Sequence, residues 1–463
     1  MTEQAAQETV FDVVILGGGS GGYACAFRAA ELGLSVALVE ADKVGGTCLH
    51  YGCIPTKALL HAAEVADNAR EGASFGIRSS LEGIDMVGVN AYKDGVVDRL
   101  YKGLQGLVKA HKVELFEGLG RLVAKDTVQV GDRQVRGRNV VLASGSYART
   151  LPGLTIEGRV ITSDQALKLE WVPQRVVIIG GSVIGVEFAS VWKSFGADVT
   201  IVEALPRLVP LEDEALSKQL ERAFRRRKIN FVTGVKFSGV TQDDSGVKVS
   251  LENGSTIDAD LVLVAVGRGP RSAGFGFEEA GVTVDRGWVI TDERLHTNVE
   301  NVYAVGDLVP GLQLAHRGFA HGIFVAEEIA GLKPVPIEDS GIPRVTYCDP
   351  EIASVGITEA EAKEKYGEGK IEAYEYNLGG NGKSQILKTA GIVKVVREKD
   401  GPVVGIHMVG ARMGEQVGEA SLIVNWEALP SEVAQFIHAH PTQSESLGEA
   451  HLALAGKPLH THD

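Results

Sequence analysis

The sequence has few cysteines and no surplus of positive charge. Only four cysteines occur in 463 residues, which excludes the dense disulfide framework of a small secreted protein. Acidic residues outnumber basic ones and give a formal net charge of −14, so a nucleic-acid-binding surface is not expected. Anionic ligands must therefore be held locally, by backbone amide groups.

Long apolar segments and targeting signals are also missing. No uninterrupted apolar run of about 18 residues is present, so no membrane span is expected. The first nine residues are polar and acidic, unlike the basic start and apolar stretch of a signal peptide. We therefore expect a cytoplasmic protein. Its length predicts about three domains.

Glycine, in contrast, is abundant, with 57 residues, and it marks a dinucleotide-binding pattern near the start. The apolar run 11–16 reads as a buried strand, followed by Gly17-Gly18-Gly19-Ser20-Gly21-Gly22 and a helical segment over 23–32. A second strand over 35–39 leads to Glu40. Gly17 would form the turn, Gly19 would admit a pyrophosphate, Gly22 would allow tight helix packing, and Glu40 would bind ribose hydroxyls.

The same pattern returns in the middle of the chain. A strand over 175–179 precedes Gly180-Gly181-Ser182-Val183-Ile184-Gly185, a helix over 186–195 and a strand ending in Glu203. The first glycine and the acid are 23 positions apart in both copies, which predicts two dinucleotide sites. Ser182 replaces the middle glycine and would crowd the phosphate. An acid at both strand ends favours NAD over NADP.

Two cysteines follow the first pattern, in the segment Cys48-Leu49-His50-Tyr51-Gly52-Cys53. Residues five apart in a regular helix are about 8.7 Å apart between Cα atoms, beyond the ~7 Å that a disulfide bridges. The pair must therefore lie where the helix is not yet regular, with the helix proper expected from Pro55. A thiolate at that helix start would have a lowered pKa. This predicts a reactive disulfide.

Inert buried cysteines or a zinc site are the alternatives. Cys25 and Cys348 are isolated, so four compact zinc ligands are not available and no metal is expected. Near the end, the segment His440-Pro441-Thr442-Gln443-Ser444-Glu445 offers a histidine with a nearby carboxylate. It reads as a general base or as a surface-loop histidine. Asp307 follows a strand and reads as a polyol ligand or as a helix cap.

Taken together, these motifs resemble the pyridine nucleotide-disulfide oxidoreductases, and most closely the branch that oxidises dihydrolipoyl groups. The resemblance implies FAD in the first unit and NAD in the second. It implies that Cys48 exchanges with the substrate, that Cys53 faces the flavin, and that Lys57 pairs with Glu187. It also implies a homodimer in which His440, steadied by Glu445, serves the partner subunit's disulfide.

The expected site residues fall into three sets. The catalytic set is Cys48, Cys53, His440, Glu445, Lys57 and Glu187. The FAD set is Gly17, Gly19, Gly22, Glu40, Thr47, Lys57, Gly118, Ser144, Gly145, Asp307, Leu314, Ala315 and His316. The NAD set is Gly180, Ser182, Gly185, Glu187, Glu203 and Gly267.

The predicted fold class is α/β, with two Rossmann-like dinucleotide-binding domains and a C-terminal α+β interface domain. The predicted divisions are 1–150 and 271–340 for FAD, 151–270 for NAD, and 341–463 for dimerisation. The candidate partners are a lipoyl-bearing acyltransferase of 2-oxo acid dehydrogenase complexes and the glycine cleavage carrier protein. Two alternatives stay open: an NADPH-dependent reductase of small disulfides, similar to glutathione reductase, and a mainly structural docking subunit of such a complex.

Overall fold

A computed structural model describes residues 9–461 and divides them into two compact units. The first comprises the chain up to Ala58, Asn90–Arg149 and Arg268–Asp339; the second comprises Leu59–Val89, Thr150–Gly267 and the chain from Ser340. Within the described residues, no helix is long and apolar enough to cross a membrane. The finer division into four segments stays a prediction.

The strands, in chain order, are β1 Val10–Leu16, β2 Val36–Glu40, β3 Glu114–Glu117, β4 Gly120–Ala124, β5 Thr127–Val130, β6 Arg133–Leu142, β7 Ser146–Ala148, β8 Val160–Thr162, β9 Arg175–Ile179, β10 Asp198–Glu203, β11 Asn230–Thr233, β12 Phe237–Asp243, β13 Gly246–Leu251, β14 Thr256–Ala259, β15 Leu261–Val264, β16 Arg268–Pro270, β17 Val284–Asp285, β18 Trp288–Val289, β19 Val302–Ala304, β20 Arg344–Thr346, β21 Glu351–Gly356, β22 Ile371–Asn377, β23 Ile392–Glu398 and β24 Val403–Gly410.

The helices are α1 Ser20–Glu31, α2 Gly46–Tyr51, α3 Cys53–Glu71, α4 Met86–Ala110, α5 Ser163–Ala166, α6 Val183–Phe195, α7 Glu214–Arg226, α8 Ala315–Ile329, α9 Glu359–Tyr366, α10 Gly382–Leu387, α11 Met413–Asn425, α12 Pro430–Val433 and α13 Glu445–Leu454.

The first unit is built on a sheet in the order β3-β2-β1-β6-β5-β4, with β19 pairing the last residues of β6. Strands β3, β2, β1, β6 and β19 are parallel. The central strand β1 is covered on both faces, since Val13, Val14 and Ile15 are fully buried, which explains its unbroken apolar sequence. Helix α1 connects β1 to β2, and this is the predicted dinucleotide-binding crossover.

Helices α1 and α8 pack closely in this unit because glycine stands at their contact. A Cβ at Gly322 would lie 2.2 Å from the backbone oxygen of Gly21. Helix α1 begins at Ser20, before the predicted start at residue 23. Gly21 and Gly22 lie inside the helix, where the missing side chains allow close approach of neighbouring backbone.

The second unit contains a parallel sheet in the order β11-β10-β9-β15-β8, with α6 crossing from β9 to β10. Here too the helix begins earlier than predicted, at Val183. Strands β12, β13 and β14 form an antiparallel meander.

Near the C-terminus the same unit contains an antiparallel sheet in the order β20-β21-β24-β23-β22. Helices α11 and α13 bury apolar residues such as Ala420 and Leu447 in one cluster with Val393 and Met408 of this sheet. The predicted α/β class with a C-terminal α+β region is therefore confirmed.

Candidate active site

The turn between β1 and α1 can be formed only by glycine. Gly17 has φ +112°, and a Cβ there would lie 2.2 Å from the oxygen of Ala143. A Cβ at Gly22 would lie 1.8 Å from the oxygen of Gly17. These contacts fix the turn against the sheet, so the start of α1 is held beside the ends of β1 and β2.

This turn fits the pyrophosphate of a dinucleotide. A Cβ built on Gly19 would meet nothing nearer than the Cα of Gly46, at 4.0 Å, so open space lies in front of it. Gly19 is the N-cap residue of α1 and has no side chain to cap the helix, so the first backbone N–H groups of the helix can donate hydrogen bonds to an anion.

The end of β2 supplies the acid of the pattern. Glu40 accepts hydrogen bonds from the backbone N–H groups of Gly18, at 2.6 Å, and Asp42, at 2.8 Å. A cleft of about 260 Å³ lies beside it, with Tyr101 and Glu117 in its wall. Glu40 is therefore fixed at the edge of a space suited to the adenosine end of a dinucleotide.

The turn between β9 and α6 repeats this construction. Gly180 has φ +110°, and a Cβ at Gly185 would lie 1.9 Å from the oxygen of Gly180. Glu203 is buried and accepts a hydrogen bond from Gly181 N–H at 2.7 Å and another from Leu205 N–H at 2.8 Å. Ser182 is the N-cap residue and its hydroxyl makes no cap bond. The second turn therefore has a serine side chain at Ser182 where the first turn has only the hydrogen of Gly19, at the position that a phosphate would approach.

Cys48 and Cys53 lie on either side of a break between two helices. Cys48 belongs to α2 and Cys53 is the first residue of α3, while Gly52 between them has φ −150° and ψ −107°. Both are thiols in the structure and are hydrogen-bonded to each other. The expected interruption of the helix is present, although α3 begins at Cys53 rather than at Pro55.

The expected lowering of the pKa is wrong for Cys48. The hydrogen bond with Cys53, burial and the negative charge on Cys53 raise the pKa of Cys48, and the nearby ammonium of Lys57 only partly offsets them. Cys48 lies in α2, before the long helix α3 that begins at Cys53, so it is not at the start of that helix. The proton of the reduced pair therefore belongs on Cys48.

Asp307 lies in a short 3-10 turn, Gly306–Leu308, directly after β19. Its carboxylate accepts a hydrogen bond from Ser146 Oγ at 2.6 Å, and it does not cap helix α8. Burial raises the pKa of Asp307, which the hydrogen bond from Ser146 partly counteracts. A half-buried carboxylate of this kind is suited to accept hydrogen bonds from a polyol.

Three residues in the surroundings of this aspartate were missed in the sequence: Ser146, Arg268 and His321. Ser146 also accepts a hydrogen bond from Arg268 Nε at 2.7 Å, which places a guanidinium behind the carboxylate. His321 is buried, and its Nδ1 accepts a hydrogen bond from Gly306 N–H at 3.2 Å. Burial and the charge of Arg317 lower the pKa of His321 to about 4, so its ring is neutral at pH 7.

The other expected FAD residues of the first unit lie at turns and at one helix start. Gly118 has φ +139° and donates its N–H to the oxygen of Glu40 at 2.8 Å. Ser144 Oγ donates to the oxygen of Arg271, and Gly145 accepts from Arg271 N–H. Leu314 is the N-cap residue of α8, and Ala315 and His316 form its first turn. Thr47 lies in α2, next to Cys48.

Two expected residues of the second unit remain. Gly267 has φ +99° and follows β15. Glu187 lies in α6, is 2% exposed, and accepts a hydrogen bond from Tyr347 N–H at 2.9 Å. The expected pairing of Glu187 with Lys57 stays a prediction.

His440 and Glu445 form a hydrogen-bonded pair in the second unit. His440 Nδ1 lies 2.7 Å from Glu445 Oε1, and the second oxygen accepts Thr442 N–H at 2.7 Å. Against the effect of burial, these bonds and the charges of His440 and His438 hold the pKa of Glu445 below its usual value. The His440 side chain is 73% exposed, so its ring is oriented by the acid and open to reactants.

No cluster of three or more His, Cys, Asp or Glu side chains suited to a metal ion occurs within residues 9–461.

Comparison with known proteins agrees with this geometry. The pyridine nucleotide-disulphide oxidoreductase family matches residues 11–322, and its dimerisation domain matches residues 342–451. A dihydrolipoyl dehydrogenase of Bacillus subtilis is 40% identical, over 98% of this chain and 99% of its own. A mitochondrial dihydrolipoyl dehydrogenase of Arabidopsis thaliana is 38% identical, over 97% and 91%.

A solved structure has the same fold. The crystal structure of LpdA from Mycobacterium tuberculosis superposes with a TM-score of 0.89 at 24% identity and covers 96% of this chain and 99% of its own. The glycine turns, the cysteine pair and these near full-length matches lead to one conclusion: this chain belongs to the pyridine nucleotide-disulphide oxidoreductase family.

Proposed function

We propose that the chain oxidises the dihydrolipoyl groups of a carrier protein to the disulfide form and passes the electrons to NAD. The observation that carries this proposal is the Cys48 and Cys53 pair beside the first nucleotide turn, in a chain that also contains the His440 and Glu445 pair. Relatives 36–40% identical over nearly their full length are named dihydrolipoyl dehydrogenases.

The first nucleotide turn binds FAD and the second binds NAD. The open space at Gly19, the fixed carboxylate of Glu40 and the half-buried Asp307 suit the phosphate, ribose and ribityl groups of FAD. Glu203 at the end of β10 receives ribose hydroxyls in the second turn and disfavours a 2′-phosphate.

The chain's own residues carry out the thiol exchange. With Cys48 and Cys53 joined as a disulfide, His440 takes a proton from one substrate thiol at Nε2, because Nδ1 is occupied by Glu445. The substrate thiolate attacks Cys48, the enzyme disulfide breaks, and Cys53 leaves as a thiolate.

A second exchange completes the oxidation. The other substrate thiol attacks the mixed disulfide, the substrate disulfide forms, and Cys48 is released. Cys48 takes up the proton that the second substrate thiol loses, consistent with its raised pKa, and the first proton stays on His440 until it passes to water. The enzyme pair has then gained the two electrons that the substrate has lost. FAD held at the first nucleotide turn would supply the acceptor for this electron pair, and NAD at the second turn would supply the hydride acceptor that removes it.

The active chain is a homodimer, in keeping with the dimerisation domain over residues 342–451. In the proposed arrangement, His440 serves the cysteine pair of the partner subunit. The lipoyl-bearing acyltransferase of a 2-oxo acid dehydrogenase complex is the proposed partner, with the glycine cleavage carrier protein as a second. The cytoplasmic location also remains a proposal.

One set of assays tests this function against its alternatives. Steady-state rates are measured for dihydrolipoamide with NAD and for glutathione disulfide with NADPH. We expect the first pair to be turned over and the second to be nearly inert. The opposite result would assign the chain to the reductases of small disulfides. A colourless protein that binds no FAD and turns over neither pair would indicate a docking subunit.

The variant Cys53→Ser tests the role of the cysteine pair. This variant keeps the volume of the side chain but cannot form the disulfide. We expect it to bind FAD and to lose dihydrolipoamide oxidation, and retention of that activity would exclude the cysteine pair from the reaction.

A further inference from the structure

A second histidine and glutamate pair lies next to His440. His438 Nε2 lies 2.7 Å from Glu419 Oε1, and the two side chains are 12% and 29% exposed. Glu419 belongs to α11, whereas His438 belongs to the loop that leads to His440. This contact therefore joins the loop to a helix of the C-terminal core.

The opposite edge of the His438 ring rests on helix α13. A Cβ built on Gly448 would lie 2.7 Å from His438 Nδ1 and 2.9 Å from its Cε1. Gly448 lies on α13, the helix that begins at Glu445. The His438 ring is thus held between Glu419 on one side and helix α13, which begins at Glu445, on the other.

We propose that Glu419 and His438 are a positioning pair for the reaction: they hold the loop between α12 and α13 so that His440 stays aligned with Glu445. This inference rests on the proposed role of His440 as the base. The short loop places His440 only two residues beyond His438, and the 73% exposed ring of His440 has little packing of its own to fix it. Displacing His438 therefore moves the base.

The charges around His438 favour the same arrangement. The hydrogen bond with Glu419 raises the pKa of His438, and Glu445 acts in the same direction. The buried His451 of α13 also faces this group, and burial lowers its pKa to about 4, so it adds no positive charge at pH 7. His438 is therefore bound to Glu419 by a charge-assisted bond, which is stronger than a neutral one.

The test separates alignment of the base from general stability. Glu419→Ala removes the partner of His438, and Gly448→Ala pushes the ring from the other side. Gly418→Ala is the matched control, because a Cβ at Gly418, also on α11, meets nothing within 4 Å. Each dimeric, FAD-loaded variant is assayed for dihydrolipoamide oxidation by NAD and for NADH oxidation by ferricyanide, which needs no thiol exchange.

We expect Glu419→Ala and Gly448→Ala to lower dihydrolipoamide turnover by about 10- to 100-fold, as a misplaced catalytic group does. Their ferricyanide activity and that of Gly418→Ala should stay at the wild-type rate. Glu419→Gln keeps an acceptor oxygen and should recover most of the lost turnover.

Two results would overturn the inference: unchanged dihydrolipoamide turnover in both alanine variants, or an equal loss of both activities. Failure of the FAD-loaded wild-type chain to oxidise dihydrolipoamide with NAD would instead overturn the proposed function. The two failures are therefore distinguishable.

Discussion

His440 Nδ1 and Glu445 Oε1 are 2.7 Å apart, and the other oxygen of Glu445 is held by Thr442 N–H. Thr442 thus fixes the Glu445 carboxylate, and the carboxylate orients the ring of His440 in the same loop. This fixes which ring nitrogen can exchange a proton with a substrate, because Nδ1 is already occupied.

His440→Gln should lower dihydrolipoamide turnover by at least about 100-fold, the usual contribution of a positioned acid or base. FAD content and NADH oxidation by ferricyanide should be unchanged, since neither requires proton transfer from a thiol. Stopped-flow and steady-state rates of the two reactions provide the measurement. A turnover near that of the wild type would exclude His440 as the base.

Gly19→Ala and Gly22→Ala should fail in different ways. The methyl group at residue 19 enters open space, so the chain should fold and lose FAD affinity. At residue 22 it would lie 1.8 Å from the oxygen of Gly17, so folding itself should fail. Circular dichroism and FAD content distinguish these outcomes. Gly103→Ala, where a Cβ meets nothing within 4 Å, should leave both unchanged.

Glu203 should make the enzyme prefer NAD over NADP strongly, because a buried carboxylate repels a 2′-phosphate. Glu203→Gln should lower kcat/KM for NAD about tenfold, the effect expected when one charged hydrogen bond is lost. The two nucleotides are compared in parallel with saturating dihydrolipoamide. Equal kcat/KM for both in the wild type would contradict this assignment.

Ser182→Gly should strengthen NAD binding. The serine hydroxyl makes no cap bond to α6, so its removal costs the helix little, while space opens where the first turn has Gly19. Titration of the oxidised enzyme with NAD, which cannot reduce it, measures the Kd. Weaker binding in the variant would show that the hydroxyl holds the phosphate instead of crowding it.

Acid should destabilise the first unit through His321. Its pKa is lowered from 6.5 to about 4, so between these values the unfolded chain binds a proton that the folded chain does not. Stability therefore falls as the pH falls below about 6.5, by about 2 kcal/mol at pH 5 for this one group.

His321→Asn keeps an acceptor for Gly306 N–H but does not titrate. Its thermal midpoint should fall less than that of the wild type between pH 7.5 and 5. Identical shifts in the two proteins would rule out a contribution from this histidine.

The sequence was sufficient for features set by local patterns. The two glycine turns, the acids at the ends of β2 and β10 and the alternation of strands and helices follow from residue spacing alone. The break between Cys48 and Cys53 was also predictable, since helix geometry forbids their pairing in a regular turn. Helix starts were placed late because glycines in α1 serve packing with α8, which only the fold reveals.

Contacts between distant segments could not be predicted. Ser146, Arg268 and Asp307 are far apart in the chain and meet only because β7 pairs with β16 and β19 pairs with β6. His321 bonds Gly306 because helix α8 packs against the 3-10 turn Gly306–Leu308, a contact that the sequence pattern does not reveal. The direction of the Cys48 pKa shift depended on burial and on its bond with Cys53, and neither is visible in a motif.

Strand β19 pairs Val302–Ala304 with the last residues of β6, so the first sheet is completed by a segment made late in translation. By then the ribosome has already released β8 to β15, which form the second nucleotide fold. During synthesis from the N-terminus, the sheet of β8 to β11 and β15 can therefore fold before β19 is made. Until then the end of β6 has no β19 to pair with. Because Asp307 follows β19, we expect a nascent fragment that stops before Val302 to lack this carboxylate and to bind no FAD.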